Sequence, residues 1–155
     1  MSFAKLVHRF KEGFAPREES TSRHDPLRLA TAAVLLEAAY ADGTFAPAEE
    51  GNLVAFLERS FSLSAEEARE LVAEADEIRK GTIDHFALTS FIRKNASLAE
   101  RIDVVKTMWR MVYSDGRLTD YEGYLVRKLA DLLGLEHRVM IDAKVSVMRE
   151  LGVET

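Results

Sequence analysis

The sequence predicts an all-α fold of seven to eight helices, built as two pseudo-symmetric helical-hairpin halves. Three observations carry this prediction. Apolar residues recur at helical spacing along most of the chain, and no segment alternates apolar and polar residues between turns as a strand would. Ser64-Ala65-Glu66-Glu67, Ser97-Leu98-Ala99-Glu100 and Thr119-Asp120-Tyr121-Glu122 are capping boxes that each announce a helix start. Finally, one turn sequence occurs twice, 73 residues apart.

The elements follow in order. Phe3, Leu6, Val7, Phe10 and Phe14 share one helical face, with Lys5, His8, Arg9 and Lys11 on the others, so residues 1–24 read as a short amphipathic helix and a linker. Its simplest fate is to fold back on the core. A basic amphipathic segment also suits a membrane surface or a partner's groove, through Phe3, Leu6 and Phe10 with Lys5 and Arg9. Residues 25–155 form the helical domain proper. Asp25-Pro26 is a cap followed by a first-turn Pro, and the helix from Leu27 to about Asp42 carries only Glu37 as a charge between Leu29 and Tyr40. A helix apolar nearly all round is a buried, central one.

Pro47 opens the next helix, with Leu53, Val54, Phe56, Leu57 and Phe61 as its apolar stripe. The box at Ser64 opens a helix to about Lys80, ended by Gly81. Residues 84–94 form a shorter helix with Phe86, Leu88, Phe91 and Ile92 inward. From Ser97 a partner of the central helix runs to Asp115 with Ile102, Val105, Met108, Trp109 and Val112 inward. The box at Thr119 starts a helix through Leu133, stopped by Gly134, and a last helix covers about His137 to Leu151.

Composition excludes several function classes. At 155 residues with 47% hydrophobic and 30% charged side chains, the chain is one folded domain able to bury a core. Zero Cys removes disulfides, thiol catalysis and Cys-type zinc sites. The net charge is −5, yet residues 1–24 hold five Lys/Arg and three Asp/Glu, so the body is more acidic than the whole. An acidic body repels phosphates and argues against nucleic acid. No apolar run approaches a membrane span and the first residues lack a signal-peptide pattern, so a soluble, cytoplasmic protein is expected.

The repeated turn reads Tyr40-Ala41-Asp42-Gly43-Thr44-Phe45-Ala46-Pro47-Ala48-Glu49 and Tyr113-Ser114-Asp115-Gly116-Arg117-Leu118-Thr119-Asp120-Tyr121-Glu122. Each copy is the elbow of a helical hairpin. Asp42 and Asp115 fall in the last helical turn, where backbone carbonyls already carry partial negative charge, and Glu49 and Glu122 fall in the first turn of the next helix. Carboxylates gathered around exposed carbonyls suit a hard divalent cation, Ca²⁺ or Mg²⁺, with Zn²⁺ ranked behind them. The competing account is that both glutamates cap backbone N–H groups and both aspartates bond their own turns. An EF-hand is excluded, because Pro47 and Leu53, or Asp120 and Val126, would stand where the loop needs Gly and the closing Glu. Glu37 is the other acid to weigh: the 73-residue offset sets Arg110 at its matching position and predicts that the two face each other as a buried pair. His8, His24, His85 and His137 are scattered, and no nucleophile stands beside a base, so catalysis is not expected.

The stretch from Leu29 to Gly43, with its echo from Met108 to Leu118, resembles the tellurite resistance TerB-like family, whose helical domain is also found at the start of a membrane-anchored DnaJ-type co-chaperone. The likeness covers about Asp25 to Lys144, and the doubled Asp-Gly turn followed by Glu is its most specific part. The resemblance implies two pseudo-symmetric helical halves with an acidic patch for a divalent metal, formed by Asp42, Glu49, Asp115 and Glu122, with Glu37 added. It also implies protein partners in a stress-response or membrane-associated assembly near the inner membrane surface. Ala46 departs from the polar cap expected before Pro47, and Gly123 stands opposite Glu50, so the first elbow is expected to be the poorer site.

Overall fold

The computed structural model describes residues 26–40, 47–81, 85–113 and 120–153. Among them are seven helices and no strand: α1 (Pro26–Ala39), α2 (Pro47–Phe61), α3 (Ala65–Lys80), α4 (His85–Asn95), α5 (Leu98–Val112), α6 (Asp120–Leu132) and α7 (His137–Leu151). The amphipathic segment of residues 1–24, including Phe3, Lys5, Leu6, Arg9 and Phe10, lies outside the described residues, as do Asp42, Asp115 and the Thr119 cap.

α1 is the axis of the molecule. Leu29, Val34, Leu35 and Leu36 are buried together with Ala30, Ala32, Ala33, Ala38 and Ala39. The alanines present so little side chain that neighbours approach from several sides, and α2, α3, α4, α5 and α6 all pack on α1. α5 is the second axis, burying Val105, Met108, Trp109, Met111 and Val112 and touching α1, α2, α6 and α7.

The helix boundaries repeat as the turns do. Shifting α1, α2 and α3 by 73 gives 99–112, 120–134 and 138–153, against 98–112, 120–132 and 137–151 for α5, α6 and α7. The packing repeats with them: α1 lies on α3 as α5 lies on α7, and α2 crosses to α5 as α6 crosses to α1. α4 has no counterpart and fills the space between α1 and α6.

Local chemistry sets the ends. Ser64 Oγ accepts from Glu67 N–H at 3.1 Å while Glu67 Oε1 accepts from Ser64 N–H at 2.9 Å, and Ser97 and Glu100 form the same reciprocal pair at 3.1 and 2.7 Å. α2 and α6 stop with left-handed residues, Ser62 (φ 54°) and Gly134 (φ 83°), after which Leu63 N–H reaches Glu58 O and Leu135 N–H reaches Ala130 O, both at 3.1 Å. Gly81, expected as a stop, does end α3 but with φ −91°, so its role is to halt rather than reverse the chain. Phe86, expected inward, is 63% exposed: it stands on the second residue of α4, and Leu88, Phe91 and Ile92 occupy the face toward the core.

Candidate functional site

The two elbows are framed identically on both sides. Tyr40 N–H closes the last turn before the first elbow on Leu36 O at 2.9 Å, and Tyr113 N–H does the same on Trp109 O at 3.0 Å. Beyond each elbow, Glu49 and Glu122 are the third residues of α2 and α6, where N–H groups of the first turn face a carboxylate. Both are buried, at 4% and 2% exposure, and both are engaged by neighbours.

That burial separates them from ordinary caps. Glu67 and Glu100 hold the same third position in α3 and α5, make full capping boxes, and remain half-buried and exposed respectively. The third position of a helix therefore does not by itself bury a glutamate in this chain. Among the described residues no three His, Asp or Glu gather closely enough to hold a metal ion, and Asp42 and Asp115, which would complete the elbow sets, lie outside those residues.

The tyrosines themselves are held differently. The Arg79 guanidinium stacks over the Tyr40 ring at 4.1 Å, itself steadied by Asp76 through Nε at 3.0 Å and Nη2 at 2.9 Å. Tyr113 leans on Trp109, ring centroids 6.1 Å apart, and burial pushes its phenol above the usual value. Trp109 is wholly buried, with Lys144 Nζ 5.1 Å from its ring and its Nε1 without a hydrogen bond among the described residues.

Glu37 is half-buried and engaged, but not by Arg110. The predicted Glu37–Arg110 pair is corrected by the structure: Arg110 donates through Nε to Glu150 Oε2 at 2.7 Å and through Nη2 to Glu150 Oε1 at 3.1 Å. The offset equates positions, but the helix beside α5 at that level is α7, so its carboxylate takes the guanidinium first. Glu150 responds: the hydrogen bond from Arg110 holds its carboxyl below the usual range against opposing desolvation, helped by the charges of Arg110, Lys106 and Arg59.

Around this pair the structure opens a polar cleft of about 490 Å³, lined by Asn52 and Arg59 of α2, Asp103, Thr107 and Arg110 of α5, and Glu150. Its one readable sign in the sequence is the 103–107–110 spacing on the polar side of α5, which needs α2 and α7 in place before it means a cleft. His137 is exposed at the start of α7, away from any such grouping. No described helix is long and apolar enough to cross a membrane.

Comparison with known proteins places this geometry. A crystal structure of a protein of unknown function from Porphyromonas gingivalis W83 superposes with a TM-score of 0.59 at 19% identity, over 87% of this chain and 98% of that one, a likeness of fold. No curated protein matches the chain. The family model described as tellurite resistance protein TerB matches residues 28–145, from the first turn of α1 into α7. With that span covered, the chain belongs to the tellurite resistance protein TerB family.

Proposed function

We propose that this TerB-family helical module is non-enzymatic, binds a hard divalent cation, Ca²⁺ or Mg²⁺ ahead of Zn²⁺, at the acids of its repeated elbows, and acts through contacts with other proteins of a stress-response or membrane-associated assembly in the cytoplasm. The observation that supports it is the burial of Glu49 and Glu122 beside the elbows, at a helical position where Glu67 is only half-buried and Glu100 is exposed. Removing a carboxylate from water costs several kcal/mol in an uncompensated setting, and an oxygen-seeking cation offsets that cost while first-turn N–H groups supply the rest. Asp42 and Asp115 are the ligands the proposal adds across each bend, and Glu37 is held in reserve as a residue already engaged within the fold.

The test is a thermal melt of the EDTA-treated chain, repeated with millimolar Ca²⁺, Mg²⁺ or Zn²⁺, on wild type, Asp42→Asn/Asp115→Asn and Glu49→Gln/Glu122→Gln. A ligand that binds only the native state raises the melting temperature with its concentration. Stabilisation by one ion that both double variants lose supports the cation site. No shift with any ion, with the Asn variant as stable as wild type, leaves a scaffold whose acids are turn and cap chemistry.

A further inference from the structure

A second groove carries an inference independent of the cation reading. It lies where α1 begins, between α1, α2 and α5, has a volume of about 150 Å³, and is walled by Leu27, Phe56, Phe61 and Val104 with Glu100 and Asp103 on its α5 side. A space of that size admits one benzene-sized ring. Arg28 and Arg59 stack against Phe61 and Phe56 at 5.7 and 5.8 Å but do not line the groove, whose charged lining residues are the acids Glu100 and Asp103. Glu100 already caps Ser97, whereas the Asp103 carboxylate makes no hydrogen bond or ion pair among the described residues.

We propose that the occupant of this groove is the chain's own segment Phe3 to Phe14, seated with one phenylalanine, Phe10 at the middle of its stripe, in the aromatic pocket and with Lys5, Arg9 or Lys11 on Asp103. Three features of the chain select it. The stripe of Phe3, Leu6, Val7, Phe10 and Phe14 is aromatic-rich and flanked by basic residues, complementary to an apolar pocket with an acidic edge. Residues 15–25 separate it from Pro26, a length that reaches at most about 36–40 Å. Leu27, one residue further, is itself part of the groove wall, so the tether starts at the site and makes docking intramolecular.

The rival groove is less suited. It lies between α1, α2 and α3, lined by Leu36, Val54 and Val72, near Tyr40, which is about 20 Å along α1 from Leu27. Its acids are Glu50 and Asp76, the latter already bonded to Arg79 and Lys80, and Arg69 stands in the same lining and opposes a basic segment.

The full-length chain provides a direct test because it contains no Cys. A nitroxide is attached to Ser2→Cys, and relaxation of the Leu27, Val104 and Val72 methyl signals is measured. The expected result is broadening of Leu27 and Val104 beyond Val72, lost in Phe10→Asp and weakened in Asp103→Lys while the melting temperature of Asp103→Lys stays near wild type. Isotope-enriched, unlabelled chain mixed with nitroxide-labelled chain is expected to show no broadening. Broadening centred on Val72, broadening between chains in the mixture, or no broadening together with co-sedimentation on anionic phosphatidylglycerol vesicles each overturns the proposal, the last two in favour of a second copy and a lipid surface.

Discussion

Arg110 on α5 and Glu150 on α7 meet through two parallel hydrogen bonds of 2.7 and 3.1 Å, tying the ends of two helices that are 40 residues apart in sequence. The fork is partly exposed, Arg110 at 24% and Glu150 at 46%, so solvent screens it and its contribution is about 0.5–1 kcal/mol. Because the carboxylate's folded pKa lies below its unfolded one, the contribution is fully present above the unfolded value and is lost as pH falls through the folded value. Arg110→Ala is expected to lower stability by about 0.5–1 kcal/mol at pH 7. Denaturant melts across an acid series check it: the gap between wild type and variant narrows below pH 4.5, the carboxyl's ordinary value, and also narrows in high salt.

The left-handed residues that follow α2, α6 and α7 give opposite expectations. Ser62 adopts φ 54° where a residue with a Cβ is strained, and Ser62→Gly is expected to stabilise by about 0.5–1 kcal/mol. Gly134 adopts φ 83°, and a Cβ there would sit 2.8 Å from Arg93 Nε and 2.9 Å from Arg101 Nη1, the atom that donates to Leu133 O. Gly152 has φ 71° with nothing within 4 Å of a Cβ. Gly152→Ala should therefore cost only the backbone term, about 1 kcal/mol, and Gly134→Ala about 1–2 kcal/mol more. Comparing the two by urea melts isolates the crowding by the arginines.

Trp109, on α5, is the single tryptophan and is fully buried, with Lys144 of α7 over its ring. Trp109→Ala removes the largest buried side chain and is expected to cost about 3–5 kcal/mol, measured as a shift of the denaturation midpoint. In wild type the indole emission should be blue-shifted and move to the red in the same transition that removes helical circular dichroism, as one cooperative core requires.

The capping boxes at Ser64 and Ser97 are reciprocal in the folded chain. Ser64→Ala and Ser97→Ala are each expected to lose about 1 kcal/mol, and Ser→Gly at either place only a few tenths. Hydrogen exchange of the Glu67 and Glu100 amides should rise in the matching variant alone.

Much of this architecture is legible in one dimension because helices are local objects. The boxes at Ser64 and Ser97, the Pro26 start, the stop at Gly134 and the near-absence of charge along α1 each act within a turn or two of their own position, and the structure has helices bounded there. The 73-residue offset is likewise sequence information, and the repeated boundaries of α1–α3 and α5–α7 follow it. The left-handed Ser62 was hidden because serine carries no such signal; Leu63 N–H bonding to Glu58 O and the packing of Leu63 on the core set it.

What the amino-acid order determined by itself is therefore the helices, their ends, the buried identity of α1 and the family. What only the tertiary structure decided is which side chains meet. Arg110 has a local helix, a local neighbour and a matching position at Glu37, yet its partner is Glu150, because ion pairs form by distance in space and α7 is the helix that packs against that end of α5. Glu49 and Glu122 hold the same third helical position as Glu67 and Glu100, yet only the first two are buried, a property of packing that no spacing along the chain contains.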